Sequence, residues 1–285
     1  MRGDIIRLLG ISLSILVALN ISAGNPVPLN NVDLSYSVSN DSLTVIWPGE
    51  VKELPSYEFK DNRVLRRIVL EEGVEIIGEY AFLGCENLTE IILPSTLREI
   101  REGAFRECSS LKKLEIPEGV SIIPAYMCAW DENLEEVSLP ESVRDIQRNA
   151  FSYCYRLKEI DLPSLLIHIG PNAFSFCTDL KEISVPDTME ELESYAFSGC
   201  ENLQRAKLPS NSKMLGELLF TGCRNITEII CMSEEPPTFD CDTPPFDPLE
   251  NDLWKQCQLV VPAASEDLYK DAPGWSMFFQ TELIY

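Results

Sequence analysis

The sequence predicts a solenoid in which about eight units of 23 residues stack through one parallel column of strands, with short helical turns and a cap at each end. Two observations carry this prediction. Eight aliphatic residues recur every 23 positions without a slip, and a shared set of proline, phenylalanine and cysteine positions follows them. The aliphatic positions are Leu65, Leu88, Leu111, Leu134, Leu157, Leu180, Leu203 and Ile226. A unit this short cannot bury its own apolar side, so neighbouring units must share one core.

Residues 1–24 have the order of a secretory signal peptide. Arg2 and Arg7 precede an apolar run at residues 8–19, and small residues follow it near Ala23. A run of about 12 residues is shorter than the roughly 20 that a membrane-spanning helix needs. We therefore expect an exported chain, secreted or held at the cell surface, with residues 1–24 removed and no transmembrane segment.

Each predicted unit contains one strand and one turn segment. In residues 88–93, Glu90 and Ile92 face outward while the alternate apolar positions face the core. Pro94 ends that strand because proline cannot donate to the ladder. The segment that reads Gly-x-x-Ala-Phe-x-x-Cys where it is complete, as at residues 78–85, is too short for an isolated helix. It is predicted to form one or two helical turns on the opposite side, with its phenylalanine in the core.

The predicted domain order follows from where the repeats begin and end. The solenoid covers residues 42–232, an N-terminal cap covers 25–41 and a C-terminal cap covers 233–285. Caps are expected because an open solenoid end would expose both its apolar core and an unpaired strand edge.

The repeat frame carries a resemblance to a known family. Residues 87–100 read Asn-Leu-Thr-Glu-Ile-Ile-Leu-Pro-Ser-Thr-Leu-Arg-Glu-Ile, and Ala104, Phe105 and Cys108 follow them. This pattern resembles the BspA-like leucine-rich repeats of exported bacterial surface proteins. The resemblance implies a non-enzymatic surface for protein–protein interaction or adhesion, with an unidentified partner such as a host extracellular protein. A glycan-binding module of a surface polysaccharide system and a self-associating structural protein are the alternatives.

The composition argues against several other functions. The chain has 46 acidic against 23 basic residues, a net charge of −23, which repels nucleic-acid phosphates. Its only histidine, His168, lies in a repeat column whose residue type varies freely. No phosphate-binding loop, nucleophile elbow or metalloprotease motif occurs. We expect no catalytic residue, no cofactor, no metal site and no nucleic-acid partner.

One repeat column is occupied mainly by cysteine, which predicts a ladder of buried, reduced thiols. Its members are Cys85, Cys108, Cys154, Cys177, Cys200 and Cys223, with Asn62 and Asp131 at equivalent positions. All three residue types have short side chains that hydrogen-bond backbone groups in turns. The pairing of Cys128, Cys231, Cys241 and Cys257 stays open: Cys231 is expected in the core, and a disulfide in the C-terminal cap is an alternative.

Two candidate binding surfaces lie on the central units. The first is an aromatic row, one position before the cysteine column, formed by Trp130, Tyr153 and Phe176 with Tyr155 beside it. These rings either cover the gap left where Cys128 replaces a core phenylalanine or contact a partner. The second surface is acidic and is formed on the outward strand positions by Glu136, Glu159, Asp161 and Glu182. It is either an ordinary solvated face or a site for a basic partner segment or a divalent cation.

Overall fold

The computed structural model describes residues 35–39, 42–239 and 257–279, and these form a solenoid of about nine turns of 23 residues. The predicted parallel-strand solenoid is confirmed, whereas the caps at residues 25–41 and 233–285 stay predictions. Strand β1 (Ser35–Ser39) pairs antiparallel with β2 (Ser42–Trp47), and the other described strands pair in parallel. The first strand column comprises β2 (Ser42–Trp47), β4 (Leu65–Leu70), β6 (Glu90–Ile92), β8 (Lys113–Glu115), β10 (Glu136–Ser138), β13 (Glu182–Ser184), β15 (Arg205–Leu208), β17 (Glu228–Cys231) and β19 (Gln258–Val260).

A second column of two-residue strands runs through the same turns, so the prediction of a single strand column was wrong. These strands are β3 (Glu53–Leu54), β5 (Ile76–Ile77), β7 (Glu99–Ile100), β9 (Ile122–Ile123), β11 (Asp145–Ile146), β12 (His168–Ile169), β14 (Glu191–Leu192), β16 (Met214–Leu215) and β18 (Thr238–Phe239). The second residue of each strand from β3 to β16 faces the core. Strand β18 begins 24 residues after β16, instead of 23. Because the 23-residue period is broken here, the sequence pattern does not predict the ninth turn.

The first strand column is not one continuous sheet. Hydrogen bonding divides it between β6 and β8, and again between β10 and β13. The strand predicted near Leu157 does not form: within that repeat, only an isolated parallel bridge joins Glu136 to Glu159. The register nevertheless persists, because the side chains of Leu157 and Ile160 remain buried like their counterparts in the other repeats.

The segments predicted as helical turns are non-helical, because each repeat has two residues with left-handed backbone four positions apart. The first set is Tyr57, Tyr80, Gly103, Tyr126, Asn149, Asn172, Tyr195 and Leu218, and the second is Asp61, Gly84, Glu107, Trp130, Tyr153, Phe176, Gly199 and Gly222. A positive φ interrupts a right-handed helix. Among the described residues, the helices are α1 (Glu266–Asp271) and a 3-10 helix (Ser276–Phe279).

Equivalent side chains stack along the core. Phe82 and Phe105 are parallel with ring centroids 5.5 Å apart, as are Phe151 and Phe174 at 5.3 Å, and Cys128 interrupts the series. In the thiol column each Sγ–H donates to a backbone carbonyl 26 residues earlier, at 3.0–3.3 Å. The predicted ladder of buried thiols is confirmed, and Cys85, Cys108, Cys154, Cys177 and Cys200 form no disulfide.

The other cysteines that the structure describes are also free. Cys128, Cys231 and Cys257 are buried and unpaired with another sulfur, and Cys231 lies in the core as expected. Burial raises the pKa of Cys85 and that of Cys257 to about 12. Cys241 lies outside the described residues, and so does the predicted signal peptide at residues 1–24.

The segment 257–279 packs against the last repeat. Strand β19 pairs with β17, and Tyr269 and Trp275 are fully buried in the common core. The Tyr269 hydroxyl donates to the Ser233 carbonyl at 3.1 Å, and Trp275 Nε1–H donates to the Pro237 carbonyl at 2.7 Å. These contacts attach the segment to the core of the last described repeats.

We predict that Trp275→Ala destabilises the whole chain by about 3–5 kcal/mol, because it removes a large buried ring and leaves a cavity. Leu268→Ala is the control, since Leu268 lies on α1 but is 54% exposed. Urea unfolding measures both effects. Similar stability losses for the two variants would contradict this account of the C-terminal segment.

We also predict that a thiol reagent labels at most one cysteine in the native chain. The nine described thiols are buried, and burial blocks access of the reagent. Unfolding in guanidinium should expose all 10 cysteines. In a Cys241→Ser background, native labelling should fall to zero, and rapid labelling there would show that the ladder opens.

Candidate functional site

Three aromatic side chains form a continuous stack on the central repeats. Trp130 and Tyr153 are parallel with ring centroids 3.8 Å apart, and Tyr153 and Phe176 follow at 4.8 Å. Tyr155 contacts Tyr153 edge to face at 6.1 Å. Trp130 and Phe176 are 38% and 39% exposed. We call these four residues the aromatic strip, and the structure brings them together at the place that the sequence predicts.

Three residues of the aromatic strip have a backbone conformation that is unfavourable for side chains of their size. Trp130, Tyr153 and Phe176 have φ values of 70°, 63° and 60°. Left-handed backbone costs a residue other than glycine about 1–2 kcal/mol, and it is rare for bulky residues. Gly84 and Gly199 occupy the same column in other repeats. The aromatic residues therefore lie where local conformation favours glycine, and stacking offsets part of that cost.

The ring faces within the strip are largely taken by one another. Tyr153 lies between Trp130 and Phe176, so both of its faces are in contact. At one end, a Cβ atom on Gly199 would lie 2.7 Å from Cδ1 of Phe176, so the absence of a side chain at Gly199 makes room for this ring. The strip therefore presents mainly ring edges to solvent.

The predicted acidic surface is also assembled, and we call Glu136, Glu159, Asp161 and Glu182 the acidic patch. Lys113 pairs with Glu136 at 3.6 Å, and Arg205 pairs with Glu182 at 3.3 Å. The structure gives the side chains of Glu159 and Asp161 no ion pair or hydrogen bond within the described residues. Both line a surface depression together with Lys113 and Glu136.

The backbone ladder lengthens at the centre of the acidic patch. Lys158 N–H donates to the Glu135 carbonyl at 3.4 Å, and Lys181 N–H donates to the Lys158 carbonyl at 3.4 Å. The equivalent hydrogen bond from Gln204 to Lys181 is 2.7 Å. Like charges on adjacent strands destabilise a sheet. The missing strand and the long hydrogen bonds thus coincide with the stacked carboxylates.

The repeat geometry agrees with a comparison against models of known families. The model of the BspA type leucine rich repeat region matches residues 35–158 and 145–235, with 6 copies. This match covers more than half of the chain. The chain belongs to the BspA-type leucine-rich repeat family. The family comprises bacterial surface proteins and indicates a protein-binding repeat scaffold, and such scaffolds are generally non-enzymatic.

Solved structures similar to this BspA-type chain come from several bacteria. A leucine-rich cell surface protein of Faecalibacterium prausnitzii A2-165 is 21% identical over 76% of this chain and 80% of its own, with a TM-score of 0.48. A Bacteroides ovatus ATCC 8483 leucine-rich repeat protein is 24% identical over 83% and 79%, with a TM-score of 0.47. The pneumococcal vaccine antigen PcpA is 19% identical over 80% and 76%, with a TM-score of 0.42.

A comparison with curated proteins gave no match. In the part of the BspA-type chain that the structure describes, no helix combines the length and the apolar character needed to cross a membrane. The family assignment establishes the repeat scaffold and indicates a general protein-binding role.

The structure also assembles a group that the sequence analysis did not select. Asp145, His168 and Glu191 lie side by side on β11, β12 and β14, and Glu193 lies two residues beyond Glu191. His168 Nδ1 is 2.5 Å from Asp145 Oδ1, and His168 Nε2 is 2.7 Å from Glu193 Oε1. We call these four residues the histidine cluster. The sequence does contain a signal for this cluster, because Asp145, His168 and Glu191 are ionisable and recur every 23 positions. The sequence analysis interprets this column as one whose residue type varies freely.

The carboxylates set the charge of the histidine ring. Burial lowers the pKa of His168, but hydrogen bonds to Glu193 and Asp145 and the charges of these groups outweigh it. The pKa of His168 therefore stands above its ordinary value. The stability that these contacts add is fully present below the pKa that His168 has in the unfolded chain. It is lost as the pH rises through the higher pKa of His168 in the folded chain.

Asp131 is buried directly after Trp130, in the thiol column. Its Oδ1 accepts the N–H of Cys108 at 2.7 Å, whereas its Oδ2 has no hydrogen-bond partner. Burial raises the pKa of Asp131 well above the usual range, outweighing the hydrogen bond from Cys108. The folded chain thus binds a proton at Asp131 that the unfolded chain releases at lower pH.

We predict that Asp131→Asn reduces the loss of stability on raising the pH. Above the ordinary aspartate pKa the unfolded state releases this proton more readily, so the stability that Asp131 contributes falls as pH rises. The variant keeps the acceptor for Cys108 and cannot ionise. At pH 8 it should exceed the parent chain by more than about 1 kcal/mol, and the difference should shrink towards pH 4.

Urea unfolding at pH 4, 6 and 8 measures this difference directly. Asp61→Asn is the control, because Asp61 lies one position before the same column but is exposed. A constant difference between Asp131→Asn and the parent at all three pH values would show that Asp131 does not change ionisation on folding.

Proposed function

We propose that this chain is an exported, non-enzymatic scaffold that binds a protein partner through the aromatic strip. The observation that carries the proposal is the strip's placement: three bulky rings, of which Trp130 and Phe176 are exposed and Tyr153 is half-buried, stand on left-handed backbone. Gly84, Gly199 and Gly222 occupy this column in other repeats. A sequence under selection for stability alone has a less strained option in this column. Contact between the exposed ring edges and a partner would explain why the aromatic residues are kept here despite the strain.

A protein partner fits the strip better than a glycan. Sugars pack their C–H groups on the electron-rich faces of aromatic rings, and the strip leaves mainly edges free because its rings stack on one another. Protein interfaces concentrate their energy in a few aromatic side chains packed into pockets of the partner. A ridge of ring edges from Trp130 to Phe176 is a suitable anchor of this kind.

The acidic patch supplies a second feature that a partner can recognise. Glu159 and Asp161 make no ion pair within the described residues, and Glu136 and Glu182 flank them. A basic segment of the partner would relieve the repulsion among these carboxylates and would accelerate association at low salt. This argument selects a partner with a basic surface over a second copy of this acidic chain.

Export and the non-enzymatic role rest on separate support. The charged, apolar and small-residue order of residues 1–24 is that of a secretory signal peptide. The family consists of bacterial surface proteins. The repeat surface presents the strip and the patch on regular ladders, an arrangement suited to holding a macromolecule rather than to enclosing a small substrate.

We predict that Trp130→Gly with Tyr153→Gly weakens binding of the protein partner at least tenfold while the melting temperature changes little. Glycine relieves left-handed strain of about 1–2 kcal/mol per residue, which offsets the lost stacking of about 0.5–1.5 kcal/mol per pair. The partner is first selected by screening the immobilised chain against extracellular proteins and a glycan array, and biolayer interferometry then measures affinity.

Tyr57→Gly is the matched control, because Tyr57 is also exposed, stacked on another tyrosine and left-handed, but lies in an outer repeat. It should leave binding unchanged. In the same assay, Glu159→Lys with Asp161→Lys should slow association and reduce its salt dependence if the patch takes part. A double glycine variant that melts several degrees lower and still binds would show that the rings are structural. Retention of glycans alone would favour the alternative function.

A further inference from the structure

The histidine cluster has a supporting layer of hydrogen bonds that fixes the ring of His168. Ala125 N–H donates to Gln147 Oε1 at 3.1 Å, and Gln147 Nε2–H donates to Asp145 Oδ2 at 3.2 Å. The other oxygen, Asp145 Oδ1, lies 2.5 Å from His168 Nδ1. This chain of contacts holds the imidazole plane and directs Nε2 towards the carboxylates of Glu191 and Glu193.

We propose that His168 Nε2, Glu191 and Glu193 bind one Zn²⁺ ion, with Asp145 as the carboxylate that orients the histidine. A histidine that ligates a metal through one nitrogen usually donates its other N–H to a carboxylate or a carbonyl. Asp145 is in this position. Within the described residues, His168, Glu191 and Glu193 are the one group of three metal-ligating side chains whose donor atoms all lie within 4.8 Å of one another.

The donor atoms need only small movements to coordinate zinc. Tetrahedral Zn²⁺ with ligands at about 2.1 Å holds those ligands about 3.4 Å apart. His168 Nε2 is 2.7 Å from Glu193 Oε1 and 4.0 Å from Glu191 Oε2. One carboxylate must therefore withdraw slightly and the other approach. The side chain of Glu191 is exposed and can do so by rotation, and solvent can supply the fourth ligand.

The donor set favours zinc over Ca²⁺ and Mg²⁺. Ca²⁺ requires six to eight oxygen ligands and Mg²⁺ favours an octahedron of oxygens, whereas one imidazole and two carboxylates with an open position match Zn²⁺. The alternative is a protonated His168 that donates from both nitrogens to its carboxylates. Zinc and that proton compete for Nε2, so zinc binding should strengthen as pH rises from 6 to 8.

The test uses the whole chain, freed of metal by a chelator and titrated with zinc chloride in a calorimeter at pH 7.5. We expect one saturable site. Glu191→Gln and Glu193→Gln should each weaken binding at least tenfold. Glu99→Gln is the matched control, because Glu99 occupies the same repeat position but is followed two residues later by Arg101. It should leave the affinity unchanged.

A second measurement separates this site from the thiols. The chain has one histidine, so its imidazole gives a single set of ¹⁵N resonances. Zinc should move the Nε2 resonance to a metal-bound shift, leave Nδ1 protonated and lower the pH at which the ring titrates. Zinc binding without a change at Nε2, or equal affinity in Glu191→Gln and the parent, would overturn the proposal. Failure to bind zinc at pH 7.5 would do the same.

Discussion

Each residue of this solenoid lies about one strand spacing from the residue 23 positions later, so side chains pack mainly against their own counterparts. A repeat position therefore stabilises the fold when identical side chains pack well on one another, or when side chains of opposite charge alternate from one repeat to the next. Phenylalanine stacks on phenylalanine, and Lys52 pairs with Glu75 across one repeat. Where carboxylates face one another, at Glu136 and Glu159, the strand is lost and the ladder lengthens.

The same stacking explains the turn segments. Backbone N–H groups there alternate between an acceptor in the same turn and one in the next repeat, as with Leu83 donating to Tyr80 and Phe82 donating to Ala104. The alternation requires left-handed residues at two positions per repeat. Once the ladder is in place, it holds even Trp130 in that conformation. The scaffold therefore allows strained residues at its surface, and this tolerance makes the aromatic strip informative about function.

The sequence predicts the structural features that follow from the 23-residue period and from the burial of apolar side chains. The core leucines, the phenylalanine stack and the thiol column follow from residue types that recur every 23 positions. The second strand column could not be predicted, because two-residue strands such as Asp145–Ile146 carry no alternation. The left-handed turns were missed because tyrosine, tryptophan and phenylalanine seldom adopt positive φ. The histidine cluster could be identified only from the three-dimensional structure, because Glu193 does not belong to the repeat column of His168.

The strip and the histidine cluster arise from the same three repeats, because Asp145, His168 and Glu191 each follow a ring of the strip by 15 residues. In a solenoid each repeat gains stability from its neighbours, so central repeats open less readily than terminal ones. Both groups depend on side chains held at fixed spacing across adjacent repeats. At the centre, that spacing is kept even when a terminal repeat opens, and the core columns beneath the two groups are the same as in the other repeats.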